Sequence, residues 1–364
     1  MLQIEAGKTK RLELKMDRAD SLLDLVGEFP TGRQPKSVAF TPDGKFALVA
    51  QLSGSGVDLY QTEPFQRLRQ IDIPNKTKKN QLGYVEFAML PWQDEIWVSQ
   101  MTTGQIHILR MSDFSYLQSI PTGGEWSKVI CVHPDHKLAF VSNWLSNSVS
   151  VIDPVSHKLL RTVKCSGTPR GMAVSPDGLY LWVAIYEPGN VDKISLKDFK
   201  RVKTMTWQVV GAKRHVVIHP DGTTMFISDM EQGDIWVFDL ASEKLLKRVK
   251  IAPKLNTFDI TPDGRLLFIS SRGENNPDSY LEKGPDFGTM SVMDTRTLTK
   301  VDWVWGRNQP TGLAVHPTGH MVACTGVLDD NLGVWDCSRL MARLQASESA
   351  SVISSSPSGT VPSP

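Results

Sequence analysis

The chain has 364 residues, a formal net charge of +1 and 40% hydrophobic residues. That length suits one large β domain or two medium ones with a sizeable core, and the near-neutral balance argues against a general nucleic-acid binder, which carries a basic face and usually a basic total. No stretch nears the roughly 20 apolar residues that span a bilayer, and the four cysteines, at 131, 165, 324 and 337, form no C-x-x-C, so a zinc ribbon, a thioredoxin-like motif and c-type heme attachment all lack their ligands.

The first residues, "MLQIEAGKTKRLELKMDRAD", contain no apolar secretory core. A cytoplasmic protein is one reading; a chain that begins after a signal or an upstream domain is the other. "TKRLELKM" alternates like a strand, so residues 1–20 read as an extension or the end of an upstream β module. "AGKTKRLELKM" resembles the last strand of small extracytoplasmic sandwich modules of the PEGA type.

From about residue 21 a repeat takes over. Its anchor is a turn: "TPDG" at 41–44, "SPDG" at 175–178, "HPDG" at 219–222 and "TPDG" at 261–264, with degenerate copies "LPWQDE" from Leu90, "HPDH" at 133–136 and "HPTG" at 316–319. The anchor prolines are 42, 91, 134, 176, 220, 262 and 317, at intervals of 49, 43, 42, 44, 42 and 55. Proline presets φ at the second turn position, aspartate favours the turn, and glycine accepts a positive φ. Short apolar runs flank each anchor ("SVAF" and "FALVA", "GMAV" and "LYLWVA"), which makes a hairpin. A third run such as "SVSVID" and a fourth such as "KLLRTVK" complete each copy. Four strands per ~42–45 residues predict a β-propeller blade. Seven copies predict an all-β, seven-bladed propeller of four-stranded antiparallel blades over residues 21–345.

The last copy supplies only three strands before "CSRLMARLQASE". The spare run near residues 22–29 is expected to complete blade seven and close the ring. "SRLMARL" reads as one or two helical turns beneath the propeller, and the Ser/Pro-rich segment 346–364 as a disordered tail. The ten tryptophans sit mostly in strand runs such as "IWVS", "LWVA" and "IWVF", and read as packing between blades. Cys131 and Cys324 lie in apolar runs and read as core residues.

The stretch "VSNWLSNSVSVIDPVSHKLLRTVKCSGTPRGMAVSPDG" resembles the YVTN-type propeller repeat, as do "LLFISSR…GTMSVMDTRTLTKV" and "MFISDMEQGDIWVFDLASEKLLKRVKI". The resemblance covers about residues 22–337. It implies the propeller fold and leaves activity open, since such propellers serve as scaffolds, enzymes and companions of metal or heme domains.

Propellers bind ligands at the mouth of the central channel. Six residues before the anchor prolines stand Lys36, Val85, Lys128, Arg170, Arg214, Asn256 and Thr311. Four of these seven are cationic, so an anion field is expected where inner strands begin. The alternative is that these side chains pair with loop carboxylates such as Glu86, Asp229 or Glu231. His215, Asp229 and Arg272 join the candidate ligand-binding set. Blade six departs with "SSRGENNPDSYLEKGPDFGTM" at 270–290, a long loop expected on the same face. "GAKRHVVIHPDG" resembles a blade of the propeller lactonases, and Arg214 and His215 match that motif, which implies a lactonase-like hydrolase as the alternative function.

No G-x-S-x-G elbow, H-E-x-x-H motif or Gly-rich phosphate loop occurs. "HPDH" could hold a metal in a turn, but its residues read as exposed turn side chains, and "VLDDN" at 327–331 is too short to cage calcium. No cofactor or metal is expected. The function expected is a non-enzymatic binding propeller with a protein or glycan partner or a small anionic ligand, monomeric, in the periplasm or at the cell surface if a signal or upstream domain precedes this chain.

Overall fold

The computed structural model describes residues 18–74, 82–209 and 211–354, with side chains described as far as residue 347. The expected upstream β module at residues 1–20 falls almost wholly outside these. The described chain forms seven four-stranded antiparallel sheets, each running in chain order from an inner to an outer strand except the last. Inner strands contact one another from blade to blade around the ring. They are Pro35–Phe40, Tyr84–Leu90, Ser127–Val132, Pro169–Val174, Lys213–Ile218, Leu255–Ile260 and Pro310–Val315.

Blade 7 is closed by the N-terminal strand Asp24–Pro30, which pairs antiparallel with Asn331–Asp336. Side chains reinforce the closure. The Tyr60 hydroxyl donates to the Pro30 carbonyl at 2.7 Å, Arg307 Nε donates to Glu28 at 2.7 Å, and Arg339 pairs with Asp24 at 2.6 Å. The seven-bladed, strand-closed propeller expected from the repeat is therefore present.

Large apolar side chains fill the spaces between blades. Trp97, Trp182 and Trp236 are at most 1% exposed. Cys324 is buried, while Cys131 is half-buried on its inner strand, because inner strands also border the channel. Each outer strand carries a register shift whose extra residue is apolar: Val26, Leu68, Leu117, Leu160, Val202, Leu246 and Val301. A bulge of this kind twists an edge away from further pairing.

The turn anchors do more than reverse the chain. In blades 3, 5 and 7 the residue before the anchor proline is histidine. Its Nε2 meets a glycine carbonyl in the next blade's turn: His133 with Gly178 at 2.9 Å, His219 with Gly264 at 3.1 Å, His316 with Gly44 at 2.9 Å. A carbonyl can only accept, so each Nε2 carries the proton. Gly44, Gly178 and Gly264 have positive φ, and a Cβ on any of them would lie 2.8 Å or less from the imidazole. In the receiving blades 1, 4 and 6 the matching residue is Thr41, Ser175 or Thr261, whose hydroxyl donates to the aspartate of its own turn. The other imidazole of "HPDH", His136, stacks on Trp92 with centroids 3.7 Å apart. Among the described residues no cluster of metal-ligating side chains occurs.

The C-terminal helix spans Ser338–Ser354, longer than one or two turns and reaching into the segment expected to be a disordered tail. Its Ala and Glu residues are good helix formers. Leu340 is buried against blades 6 and 7, with Met341 and Leu344 packed beside it. No helix of the described residues is long and apolar enough to cross a membrane.

Candidate functional site

Each inner strand begins opposite the end of its neighbouring second strand: Pro169 faces Ile185, Lys213 faces Asp229, and Leu255 faces Ser271. Inner-strand starts and the loops after second strands therefore share one face. The chain enters five inner strands through a residue of positive φ: Gln34, Gly83, Trp126, Lys254 or Gln309. Lys36, Lys128, Arg170 and Arg214 each stand second in an inner strand.

These four cations converge, and Arg272 joins them. Lys36 is pushed well below the usual ammonium range by burial and then by Arg272, Arg214, Lys128 and Arg170. Lys128 is lowered by burial and then chiefly by Arg170 and Arg214. Arg214 is pressed down by burial, Arg170 and Arg272, and Arg272 by burial foremost and also by Arg170. Arg170 and Arg214 are 3% and 6% exposed, while Lys36, Lys128 and Arg272 are half-buried and keep a path to solvent.

One carboxylate relieves this field. Arg170 Nη2 donates to Glu86 Oε1 at 2.7 Å. Its Nε and Nη1 are buried and have no hydrogen-bond partner among the described residues. Arg214 Nε donates to the Asn256 side-chain oxygen, and its Nη1 approaches Met230 Sδ at 3.7 Å. Buried guanidinium nitrogens without acceptors are costly and mark a place where an anion would be stabilised.

His215 is half-buried against Phe258, with ring centroids 5.1 Å apart. Burial lowers it to about 4, so it is a neutral imidazole beside the cations. Asp229 lies at the same end of its blade but is committed to structure. Its carboxylate is fully buried, accepts from Lys213 Nζ at 2.6 Å and from the backbone N–H groups of Ala212, Glu231 and Gln232, and has no capacity left for the mouth. The expected pairing of mouth cations with loop carboxylates thus holds for Glu86 with Arg170 only.

Sequence reading missed a second ring. The residue after each second strand bonds back across the loop mouth, as Trp144 N–H does to Trp126, Tyr186 to Thr168, Met230 to Ala212 and Arg272 to Lys254. At this register stand Leu52, Met101, Trp144, Tyr186, Met230, Arg272 and Val327. Lys128 Nζ lies 4.2 Å from the Trp144 ring, and Trp144 and Tyr186 are 4.8 Å apart. The count that found the cations, applied to second strands, would have found this collar. The long loop between Ser271 and Thr289 lies on the same face: Lys283 pairs with Asp329 at 2.7 Å, and Gln309 donates to the Tyr280 carbonyl.

The fold and this site define a seven-bladed propeller with a cationic mouth, beside which Trp144 and Tyr186 stand. The Cytochrome D1 heme domain matches residues 93–284. Antigen Lp49 of Leptospira interrogans is 33% identical over 328 residues, covering 88% of this chain and 71% of that protein. The chain belongs to the cytochrome D1 heme domain family. It is also 26% identical over 145 residues to dihydro-heme d1 dehydrogenase of Pseudomonas aeruginosa, a match that spans 38% of this chain and 29% of that protein. Among solved structures, hydrazine synthase of Kuenenia stuttgartiensis superposes with a TM-score of 0.70 at 18% identity, over 84% of this chain and 96% of that one, a likeness of fold alone.

Proposed function

We propose that this propeller binds a small molecule bearing several carboxylates, of the heme d1 tetrapyrrole class, at its cationic mouth. The observation that carries the reading is Arg170, 3% exposed, with two guanidinium nitrogens unpartnered amid four further cations. The family match and the relative named for dihydro-heme d1 support the ligand class. Lys36, Lys128, Arg170, Arg214 and Arg272 would hold carboxylates, with the arginines gripping paired oxygens and the lysines adding field. Trp144 and Tyr186 would lie against a flat ring. Such a group supplies redox chemistry at its metal when bound. His215, neutral near pH 7, is available as a donor or acceptor beside it. An envelope location accords with a relative named as an antigen.

Calorimetric titration with coproporphyrin, citrate and phosphate tests this. The porphyrin carboxylate should bind tightest, binding should weaken with salt because the mouth opens to solvent, and Arg170→Ala with Arg214→Ala should weaken it at least about a hundredfold. Failure of every anion to bind at low salt, or indifference to the double substitution, would remove the site. Hydrolysis of a gluconate-type lactone that depends on His215 would replace a binding role with the lactonase one.

A further inference from the structure

The overall charge of +1 hides a strong asymmetry. The outer strands of blades 3, 4 and 5 are Lys158–Lys164, Lys200–Met205 and Lys244–Lys250, reading KLLRTVK, KRVKTM and KLLKRVK. They hold three, three and four cationic residues and no acidic one. All ten are exposed. Of the other outer strands, DLVGEFP is acidic, YLQSIP uncharged and TKVDWVW balanced, and FQRLRQID carries two arginines against one aspartate.

Internal carboxylates account for part of this charge. Asp192 pairs with Arg201, Asp234 with Arg248 and Lys250, and Glu243 with Lys203. Lys158, Arg161, Lys164, Lys200, Lys244 and Lys247 have no carboxylate within 4 Å among the described residues. Between them stand the bulged residues Leu160, Val202 and Leu246, 49%, 54% and 58% exposed.

We propose that this rim docks on an anionic phospholipid bilayer. Three features of the rim favour a bilayer over an acidic protein. The outside of a closed ring is convex, which suits a soft headgroup layer. Seven of the ten cations are lysines, which protein interfaces tend to exclude but which clustered at a membrane surface attract anionic headgroups. The exposed apolar side chains form small groups on separate strands, Leu159 with Leu160, Val202, and Leu245 with Leu246, set among the cations, which fits insertion between headgroups.

The test is flotation of the whole protein with vesicles of phosphatidylcholine alone and with one quarter phosphatidylglycerol, at low and high salt. Binding is expected to the anionic vesicles only, and to fall steeply with salt. Lys158→Glu, Lys200→Glu and Lys244→Glu together should weaken it at least about a hundredfold, at roughly fivefold or more for each lysine. The same three positions changed to Gln, a milder set, should weaken it less and in the same direction. Leu160→Ser with Leu246→Ser should weaken it several-fold at every salt concentration. Arg170→Ala with Arg214→Ala should leave it unchanged, which separates the rim from the mouth. Failure to float with anionic vesicles at low salt overturns the proposal, as do indifference to the lysine changes, loss through the mouth variant alone, and tighter binding to polyglutamate than to vesicles.

Discussion

His316 Nε2 donates to the carbonyl of Gly44 at 2.9 Å, joining turns that lie 272 residues apart in the chain and side by side in the ring. The imidazole is 4% exposed, and its Nδ1 accepts from the Thr318 backbone N–H at 3.2 Å. His316→Ala should lower stability by about 1–2 kcal/mol, because it leaves a turn carbonyl and an N–H without partners. His133→Ala and His219→Ala should act in the same direction, and the three should add, since the latches are separate. Urea unfolding of the single and triple variants measures this. A triple variant as stable as the parent would show that the latches carry no stability.

Acid should destabilise the fold before most carboxylates titrate. Burial lowers His107 and His215 to about 4, and His316 is also lowered, first by burial. Groups with depressed folded values contribute stability above the unfolded imidazole value of about 6.5, and that stability is lost as pH falls toward the folded value. Asp259, raised to about 6 by burial, opposes the trend as it protonates. The melting temperature should fall between about pH 6.5 and 4, and His107→Gln should flatten the slope. A melting temperature independent of pH over that window would contradict the burial of neutral imidazoles.

Lys213 and Asp229 are both fully buried and 2.6 Å apart, and Lys213 Nζ also lies 3.7 Å from the Trp236 ring. Lys213→Met would leave Asp229 charged without its partner and should cost about 3 kcal/mol. Asp229→Asn keeps an oxygen for the backbone N–H groups and should cost less. Neither should change anion affinity at the mouth. A large loss of affinity in a folded Asp229→Asn protein would return this residue to the site.

Glu86→Gln removes the carboxylate that relieves the five cations. Apo stability should fall, since like charges then face each other with less compensation. Affinity for a carboxylate ligand should rise several-fold, because Arg170 no longer has an internal competitor. Calorimetry and thermal melting on one preparation measure both. Weaker binding would mean that Glu86 aims Arg170 at the ligand.

Replacing residues 274–286 with a four-residue turn removes the contacts of Tyr280 and Lys283 with blade 7. The propeller should still fold, and a bound anion should leave faster, as stopped-flow displacement would show. Failure to fold would make the loop part of the core structure.

The blades were legible because one turn must recur wherever a hairpin recurs, and Pro-Asp-Gly serves it. The cations were legible for the same reason: Lys36, Lys128, Arg170 and Arg214 occupy one register position. Arg272 was found through its unusual loop. Asp229 misled because a carboxylate at the end of a second strand looks like a mouth residue, and only the fold shows Lys213 opposite it. Trp144, Tyr186 and Met230 were passed over because apolar residues beside strands read as core. The histidine latches were invisible, since each joins two turns that the sequence keeps apart.

Those latches tie blades in couples: 3 to 4, 5 to 6 and 7 to 1. Seven is odd, so coupling two by two must leave one blade over. Among the described residues that blade is the second, where Leu90 takes the histidine's place and a short 3₁₀ turn, Pro91–Gln93, replaces Pro-Asp-Gly. The second blade is held another way: Trp92 of its turn stacks on His136 of the third blade, and Glu95 meets His157 Nε2 at 3.0 Å. Where three seams of the ring rest on an imidazole and a carbonyl, the seam between blades 2 and 3 rests on two stacked rings.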